Sequence, residues 1–328
     1  MGKRLIGGVI CGALLLAVGA CGYPTKTRSK VVTGRVAVDG SSAMAAFNLR
    51  AKRSFMELTG DTNTPLTVSD NSAAFAKLCS GEIDVAAVSR SINPSSEAQL
   101  CRKNGITPHR ILVAYEAAVV VSNKELTVGC LKTSQLKKLW RRDSTVSSYA
   151  QLGGGLPATE VSLFGPTKSS PVFELFTSAI NGEAGNSRSD YSPFLYRQAK
   201  AFAEGVAADK AALGYFDYAT LADRSERNSD QLQRNSVVDV DGGDGCVSPS
   251  PATIQSGSYS PLSRPLYYYF DLKQITSESA VSTFVEIVLA NAAMFAKANS
   301  LVPVTPDQIT QARIRWLKAV ARYKRAAG

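Results

Sequence analysis

The chain has 328 residues, 45% of them hydrophobic, and a formal net charge of +10. This length and apolar content predict one or two packed domains and exclude a disordered chain. The positive charge is not gathered into a Lys/Arg-rich run with interleaved aromatic residues, so the sequence argues against nucleic acid as a partner. Diffuse basic charge instead favours the attraction of anionic solutes or contact with an anionic envelope.

The first twenty residues have the pattern of a lipoprotein signal peptide. Two cationic residues precede an apolar core at residues 5–17, and residues 18–21 form a small-residue cleavage site that ends in cysteine. The apolar run is shorter than the roughly 20 residues that a membrane-spanning helix needs. We therefore expect an exported lipoprotein with a lipid on Cys21 and a flexible tether over residues 21–33. Glycine follows the cysteine, which resembles lipoproteins released to the outer membrane in cells with two membranes.

The mature chain opens with a predicted strand, a glycine turn and a helix that starts on serine. Residues 36–38 suit a short strand, Ser42 is a preferred N-cap, and apolar residues recur at helical spacing through residues 44–58. Gly60 is the residue type that commonly ends a helix. Such a helix start offers free N–H groups and the positive end of the helix dipole to an anion.

The same pattern occurs twice more along the chain. Residues 69–75 follow the apolar stretch 66–68, and residues 164–171 follow the apolar stretch 161–163. Each predicts a strand, a serine-containing turn and a helix. We predict that the three turns converge on one small anion.

Strands and helices alternate along the remaining chain, which predicts an α/β fold class. The expected further strands are residues 83–88, 111–121, 214–216, 237–240 and 265–270. The expected further helices are residues 99–104, 133–140, 194–204, 249–255, 278–298 and 306–325. Residues 83–88 read as a buried parallel strand ending at Ser89 and Arg90, where a parallel sheet normally presents ligand groups.

Four cysteines remain when the leader has been removed and Cys21 carries its lipid. They are Cys79, Cys101, Cys130 and Cys246. In an exported domain four cysteines predict two disulfides, for which three connectivities exist. A zinc site is not expected, because there is no Cys-x-x-Cys pair and no histidine cluster.

Five blocks of sequence, in order, resemble the signature blocks of PstS-type phosphate-binding proteins of ABC transporters. They are residues 38–42, 81–92, 164–180, 212–216 and 253–266. The resemblance implies a two-lobed periplasmic-binding-protein fold, each lobe a mostly parallel sheet flanked by helices, joined by two hinge strands. Lobe I is expected over residues 34–116 and 266–328, and lobe II over residues 117–265.

The resemblance also implies the binding residues, motif by motif. They are Ser42, Ala43, Asn71, Ser72, Ser89, Arg90, Ser169, Ser170 and Val172. It further implies the disulfides Cys79–Cys101 and Cys130–Cys246. An enzyme is not expected, because the one histidine, His109, reads as a surface or loop residue and no metal cluster or cofactor motif is present.

Two residues of the third turn depart from the Ser-Gly-Thr pattern of this family. Pro171 has no N–H and Val172 has no hydroxyl, so two expected anion donors are missing. At the end of residues 83–88 many members of the family place an aspartate that accepts the proton of hydrogen phosphate, and Ser89 replaces it only weakly. A structural role for Arg90, as an ion pair with Asp70 or Asp84, stays open.

The function implied by the resemblance is capture of inorganic phosphate, or a similar oxyanion, between the two lobes. The protein would be monomeric, anchored by lipid and presented to the permease subunits of an ABC importer. The alternative is an envelope lipoprotein that keeps the fold but has a structural or adhesive role. Pro171 and Val172 are the features that favour this alternative.

Overall fold

The computed structural model describes residues 34–61, 63–195, 198–219, 235–275 and 279–327. The predicted signal peptide, the lipidation site at Cys21 and the tether lie outside these described residues.

Strands and helices alternate as predicted, and the α/β class is confirmed. The strands are β1 (Val38–Gly40), β2 (Val85–Val88), β3 (Pro108–Asn123), β4 (Cys130–Lys132), β5 (Ser162–Pro166), β6 (Ser192–Phe194), β7 (Ala212–Asp217), β8 (Asn235–Asp241), β9 (Cys246–Val247), β10 (Ser263–Asp271) and β11 (Val302–Pro303). The helices of the described residues are α1 (Ala45–Thr59), α2 (Asn71–Ser80), α3 (Glu97–Lys103), α4 (Thr133–Trp140), α5 (Pro171–Phe176), α6 (Ala199–Ala208), α7 (Pro251–Ser256), α8 (Ala280–Lys297) and α9 (Pro306–Ala327).

One long strand, β3, belongs to both halves of the sheet. Up to Ala117 it pairs antiparallel with β10 and β11, and from Ala118 onward it pairs antiparallel with β7 and β8. The main strand order is β1-β2-β10-β3-β7-β5-β6. The sheet is mixed, with parallel pairs at β1–β2 and around β5, where the sequence predicted a mostly parallel arrangement. The difference arises because β3 and β10 run antiparallel to each other between the two halves.

Several element boundaries differ from those predicted. A short 3-10 turn, Ser42–Met44, precedes α1, and Ser41 rather than Ser42 is its cap, because the Ser41 Oγ accepts from the Ala43 N–H at 3.3 Å. Residues 66–68 contribute one bridge to Val38 instead of a strand. The helix predicted from residue 194 begins at Ala199, because Ser192–Phe194 pairs with β5 as β6.

The aromatic residues of β10 alternate between two packed layers, as expected for a strand buried on both faces. Tyr268 contacts Phe47 and Phe284, whereas Tyr269 packs on Phe75 from the opposite face. The helix that carries Phe284, α8, has the length and hydropathy of a membrane-spanning helix, but 61% of it is buried inside the protein. It is therefore the core helix of this layer.

The two disulfides are those that the resemblance implied. Cys79–Cys101 joins α2 to α3, and Cys130–Cys246 joins β4 to β9. The histidine prediction is wrong, because His109 is half-buried in β3 with its ring 5.4 Å from that of Phe270.

Gly40 marks the closest approach of β1 to β2. It pairs with Ala87, and a Cβ added to Gly40 would lie 1.8 Å from the Ala87 carbonyl oxygen. Because that contact is backbone, no side-chain rotation relieves it. We expect Gly40→Ala to lower the free energy of unfolding by about 1–3 kcal/mol, measured by urea denaturation.

Gly129→Ala is the matched control, because nothing lies within 4 Å of a Cβ added there. Equal stability of the two variants would show that β1 and β2 separate without cost, contrary to this expectation.

Candidate anion-binding site

Two of the three predicted turns meet at one edge of the sheet. Because β1 and β2 are parallel, the turn at Ser42 and Ala43 and the strand end at Ser89 lie at the same carboxyl edge. The start of α2 joins them there. The Ser89 N–H donates to the Asn71 Oδ1 at 2.8 Å, and the Asn71 Nδ2 donates to the Ser89 Oγ at 3.2 Å. The structure thus brings these predicted residues together.

Arg90 also lies at this edge, but its guanidinium already has a carboxylate partner. Its Nη1 and Nη2 donate to the two carboxylate oxygens of Glu97 at 2.8 and 2.6 Å, and Nη2 also donates to the Ser72 Oγ at 2.9 Å. The ion-pair partner is therefore Glu97 and not Asp70 or Asp84. The reason is tertiary, since a disulfide holds α3, which begins at Glu97, against α2.

A buried carboxylate supports the first turn. Asp39 accepts hydrogen bonds from the Gly40 N–H at 2.9 Å, the Ser69 Oγ at 2.9 Å and the Lys77 Nζ at 2.8 Å. Burial by itself raises the pKa of Asp39, but the bonds from Lys77 and Ser69 outweigh it and the pKa is lowered. Asp39 therefore stays ionised, and Lys77 neutralises its charge beside the turn.

The third turn places its predicted residues in three different environments. Ser169 is exposed, with its Oγ 3.3 Å from the Thr167 Oγ1. Ser170 is buried and makes no side-chain cap to α5, and its Oγ has no hydrogen-bond partner in the part of the chain that the structure describes. The Val172 side chain packs into the core. Of the groups of Val172, only the backbone N–H is therefore a candidate ligand, because a hydroxyl in place of its side chain would face apolar neighbours.

A charged network, buried at Glu116 and Arg264 and partly exposed at Glu174, joins this third turn to the first one. The Arg264 Nε donates to the Glu116 Oε2 at 2.8 Å, and its Nη1 donates to the Glu174 Oε1 at 3.2 Å. The Ser42 Oγ donates to the Glu174 Oε2 at 3.0 Å. Arg264 and Glu116 are directly paired residues of β10 and β3, whereas Glu174 lies in α5. The network therefore links Ser42, in the first turn, to α5, the helix that follows the third turn.

The network has one positive and two negative charges, and Arg264 remains ionised. Burial by itself lowers the pKa of Arg264, but the charges of Glu116 and Glu174 raise it above its usual value. Among the residues that the structure describes, neither the buried Arg264 Nη2 nor the buried Ser170 Oγ has a hydrogen-bond partner. Arg264 donates to Glu174 through its other terminal nitrogen, and Ser170 is the N-cap residue of α5, the helix that carries Glu174. Because buried polar groups are almost always paired, these two groups indicate a place for a ligand.

Sequence reasoning missed this network. Glu116 is the one charged residue in the apolar run of residues 111–121. A charge inside a buried strand requires an opposite charge nearby, so Glu116 itself was the signal. Its partner was not readable from the sequence, because Arg264 lies 148 residues away.

We expect Glu116→Gln to lower the free energy of unfolding by about 3–5 kcal/mol, because it removes one partner of a buried ion pair. Denaturation by urea near neutral pH measures the change. Glu125→Gln is the matched control, because Glu125 pairs with Lys210 at the surface, where both side chains are mostly exposed. A Glu116→Gln protein as stable as this control would show that Glu174 alone is enough to balance Arg264.

Comparison with known proteins agrees with this architecture. A family model described as a PBP superfamily domain matches residues 25–292. The chain is 30% identical to Protein SphX of Synechocystis sp., over 96% of this chain and 90% of that protein. It is 26% identical to the phosphate-binding protein PstS of Staphylococcus saprophyticus, over 94% and 92% of the two chains.

Among solved structures, the chain is similar to the crystal structure of a possible phosphate binding protein from Planctomyces limnophilus. The TM-score is 0.79 and the sequence identity 32%, over 88% of this chain and 99% of that one. Because the family model covers most of the chain, the protein belongs to the PBP (periplasmic binding protein) superfamily, and it is a binding protein rather than an enzyme.

Proposed function

We propose that the protein is an exported solute-binding protein that holds inorganic phosphate between its two halves and presents it to the permease of an ABC importer. The observation that carries this proposal is a pair of buried donors, the Ser170 Oγ and the Arg264 Nη2, for which the described part of the chain supplies no hydrogen-bond partner. They belong to residues next to Glu174, whose carboxylate also accepts from Ser42 of the first turn. The relatives named as phosphate-binding proteins support the choice of anion. The two disulfides fit a compartment outside the cytoplasm.

We further propose that lobe I comprises residues 34–116 and 266–328, and lobe II residues 117–265, in a monomer. The register supports this division. β3 exchanges its partner β10 for β7 between Ala117 and Ala118, and the pairing of β10 with β3 is irregular between Leu266 and Tyr267. A strand that changes partners at one peptide is a suitable hinge, because it bends there without losing hydrogen bonds on either side.

The predicted binding residues fall into two groups in this proposal. Lobe I supplies Ser42, Ala43, Asn71, Ser72, Ser89 and Arg90, and lobe II supplies Ser169, Ser170 and the Val172 N–H. Arg90 is already held by Glu97, so its positive charge is partly compensated. Arg264 adds a donor that the sequence did not suggest.

Glu174 gives this site a proton acceptor. Its carboxylate accepts a hydrogen bond from the Ser42 Oγ, and a bound anion would use the same hydroxyl as a donor. We propose that bound phosphate accepts the hydrogen bond that the Ser42 hydroxyl otherwise donates to Glu174. The P–OH group of hydrogen phosphate then donates to the Glu174 carboxylate. This supplies the acceptor that Ser89 lacks. Sulfate has no proton to donate near neutral pH, so it would meet the same carboxylate as a repulsive charge.

Calorimetric titration of the purified protein tests this function. We expect a saturable response to phosphate and at least about tenfold weaker binding of sulfate, since a charged hydrogen bond is worth roughly 1.5–3 kcal/mol. Glu174→Gln replaces the charged carboxylate by a neutral amide, which is a weaker acceptor, and is expected to weaken phosphate binding by about the same factor and to reduce the preference over sulfate. Glu183→Gln, an exposed glutamate, is the control.

A protein that gives no saturable response to phosphate would contradict the transport role and leave the structural or adhesive lipoprotein as the better description. Equal affinity for phosphate and sulfate would contradict the role of Glu174 while keeping oxyanion binding.

Membrane attachment through lipid on Cys21 is also part of the proposal. We expect a labelled fatty acid to be incorporated into the wild-type protein but not into Cys21→Ala, because the thiol is the acceptor in the lipobox pattern. Cys11→Ala is the matched control, since Cys11 leaves with the leader. Labelling of the Cys21→Ala protein would place the lipid elsewhere and refute the assignment.

A further inference from the structure

A cavity lies at the edge of the sheet opposite the candidate anion-binding site. Phe270 of β10 is paired with Val85, the first residue of β2, on one side and with His109 on the other. His109 is therefore level with the start of β2, whereas Ser89 follows its end. The cavity beside His109 has a volume of about 580 Å³. It is consequently separate from the anion site described above.

Four of the nine residues that line this cavity are basic. They are Lys273, Arg315, Lys318 and Arg322, and His109 also lines the cavity. None of the nine lining residues is an aspartate or a glutamate. No salt bridge found among the described residues uses any of these four cations. A carboxylate at the edge of the cavity, Asp271, accepts from the backbone N–H groups of Thr107 and Lys273 and not from a cationic side chain.

Helix α9 places three of the cations on one face. Arg315, Lys318 and Arg322 are spaced by three and four residues, so their side chains lie next to one another along the helix. Like charges at this spacing destabilise a helix unless an anion lies among them. Lys273, in the short turn Leu272–Gln274, adds a fourth charge from a different element. The four cations thus surround the cavity from two sides.

His109 contributes a hydrogen-bonding group to the lining of the cavity. Its Nε2 is buried, and no hydrogen-bond partner for it lies among the described residues. Burial, and then the charge of Arg315, lower the pKa of His109, so the ring is neutral near neutral pH. A neutral imidazole protonated on Nε2 is a donor, which suits an anionic oxygen.

We propose that this cavity binds an anion that carries two phosphate groups, with Lys273, Arg315, Lys318 and Arg322 as its charge partners and the His109 Nε2 as a donor. A volume of about 580 Å³ and four cations exceed what a single orthophosphate needs. Soluble diphosphate and the headgroup of a lipid with two phosphates share this chemistry. The proposal does not depend on phosphate capture between the lobes.

Titration with inorganic diphosphate, in the presence of saturating orthophosphate and at fixed ionic strength, tests the proposal. The wild-type protein is expected to bind one diphosphate, and the Arg315→Gln/Arg322→Gln variant at least about tenfold more weakly. Arg50→Gln/Arg53→Gln is the matched control, because it removes the same charge from the exposed face of α1. Circular dichroism checks that both variants are folded. His109→Leu, which keeps the four cations, is expected to weaken binding by a smaller factor.

A second arm replaces diphosphate by a short-chain, water-soluble cardiolipin. Tighter binding of this lipid than of diphosphate assigns the cavity to a membrane headgroup, and the reverse order assigns it to a soluble ligand. Absence of saturable binding of both probes overturns the proposal. Equal loss of affinity in the two double-arginine variants also overturns it, because the attraction would then be the general charge of the protein.

Discussion

The buried guanidinium of Arg264 is the constraint on which the centre of the structure depends. A buried cation without a partner costs several kcal/mol, so its two carboxylates must stay in place. Glu116 comes from the strand directly beside Arg264, and Glu174 from the helix that starts at the third turn. Glu174 also accepts a hydrogen bond from the Ser42 Oγ. Arg264 and Glu174 together therefore hold the first turn against the start of α5.

The charges around the candidate site are largely compensated within the protein. Lys77 neutralises Asp39, Glu97 neutralises Arg90, and the Arg264 network carries an excess of negative charge. An anion held there would depend on N–H groups, hydroxyls and helix dipoles more than on net side-chain charge. The cavity beside α9 is the opposite case, since its four cations are exposed and form no salt bridge within the described residues. Its attraction for anions is therefore more sensitive to salt.

Local rules predicted much of the fold. Gly60 ends α1 in the left-handed conformation, as its residue type predicted, and alternation along β10 puts Tyr268 and Tyr269 on opposite faces. The structure adds two local features of the same kind, Gly81 at the end of α2 and Asp70 as the cap of α2 through the Ala73 N–H. These features depend on neighbours within a few residues. The predictions that failed, such as Ser42 as a cap and a helix from residue 194, lie where an adjacent serine or a strand partner was the stronger competitor.

The sequence by itself determined the alternation of strands and helices, the positions of the serine turns and, through the family resemblance, both disulfides. Only the tertiary structure decided that Arg90 pairs with Glu97, that the Val172 side chain faces the core, and that Arg264 lies between two carboxylates. Arg264 is 148 residues from Glu116 and 90 from Glu174. Contacts over such separations follow from strand register and helix packing, which no local pattern of residue types encodes.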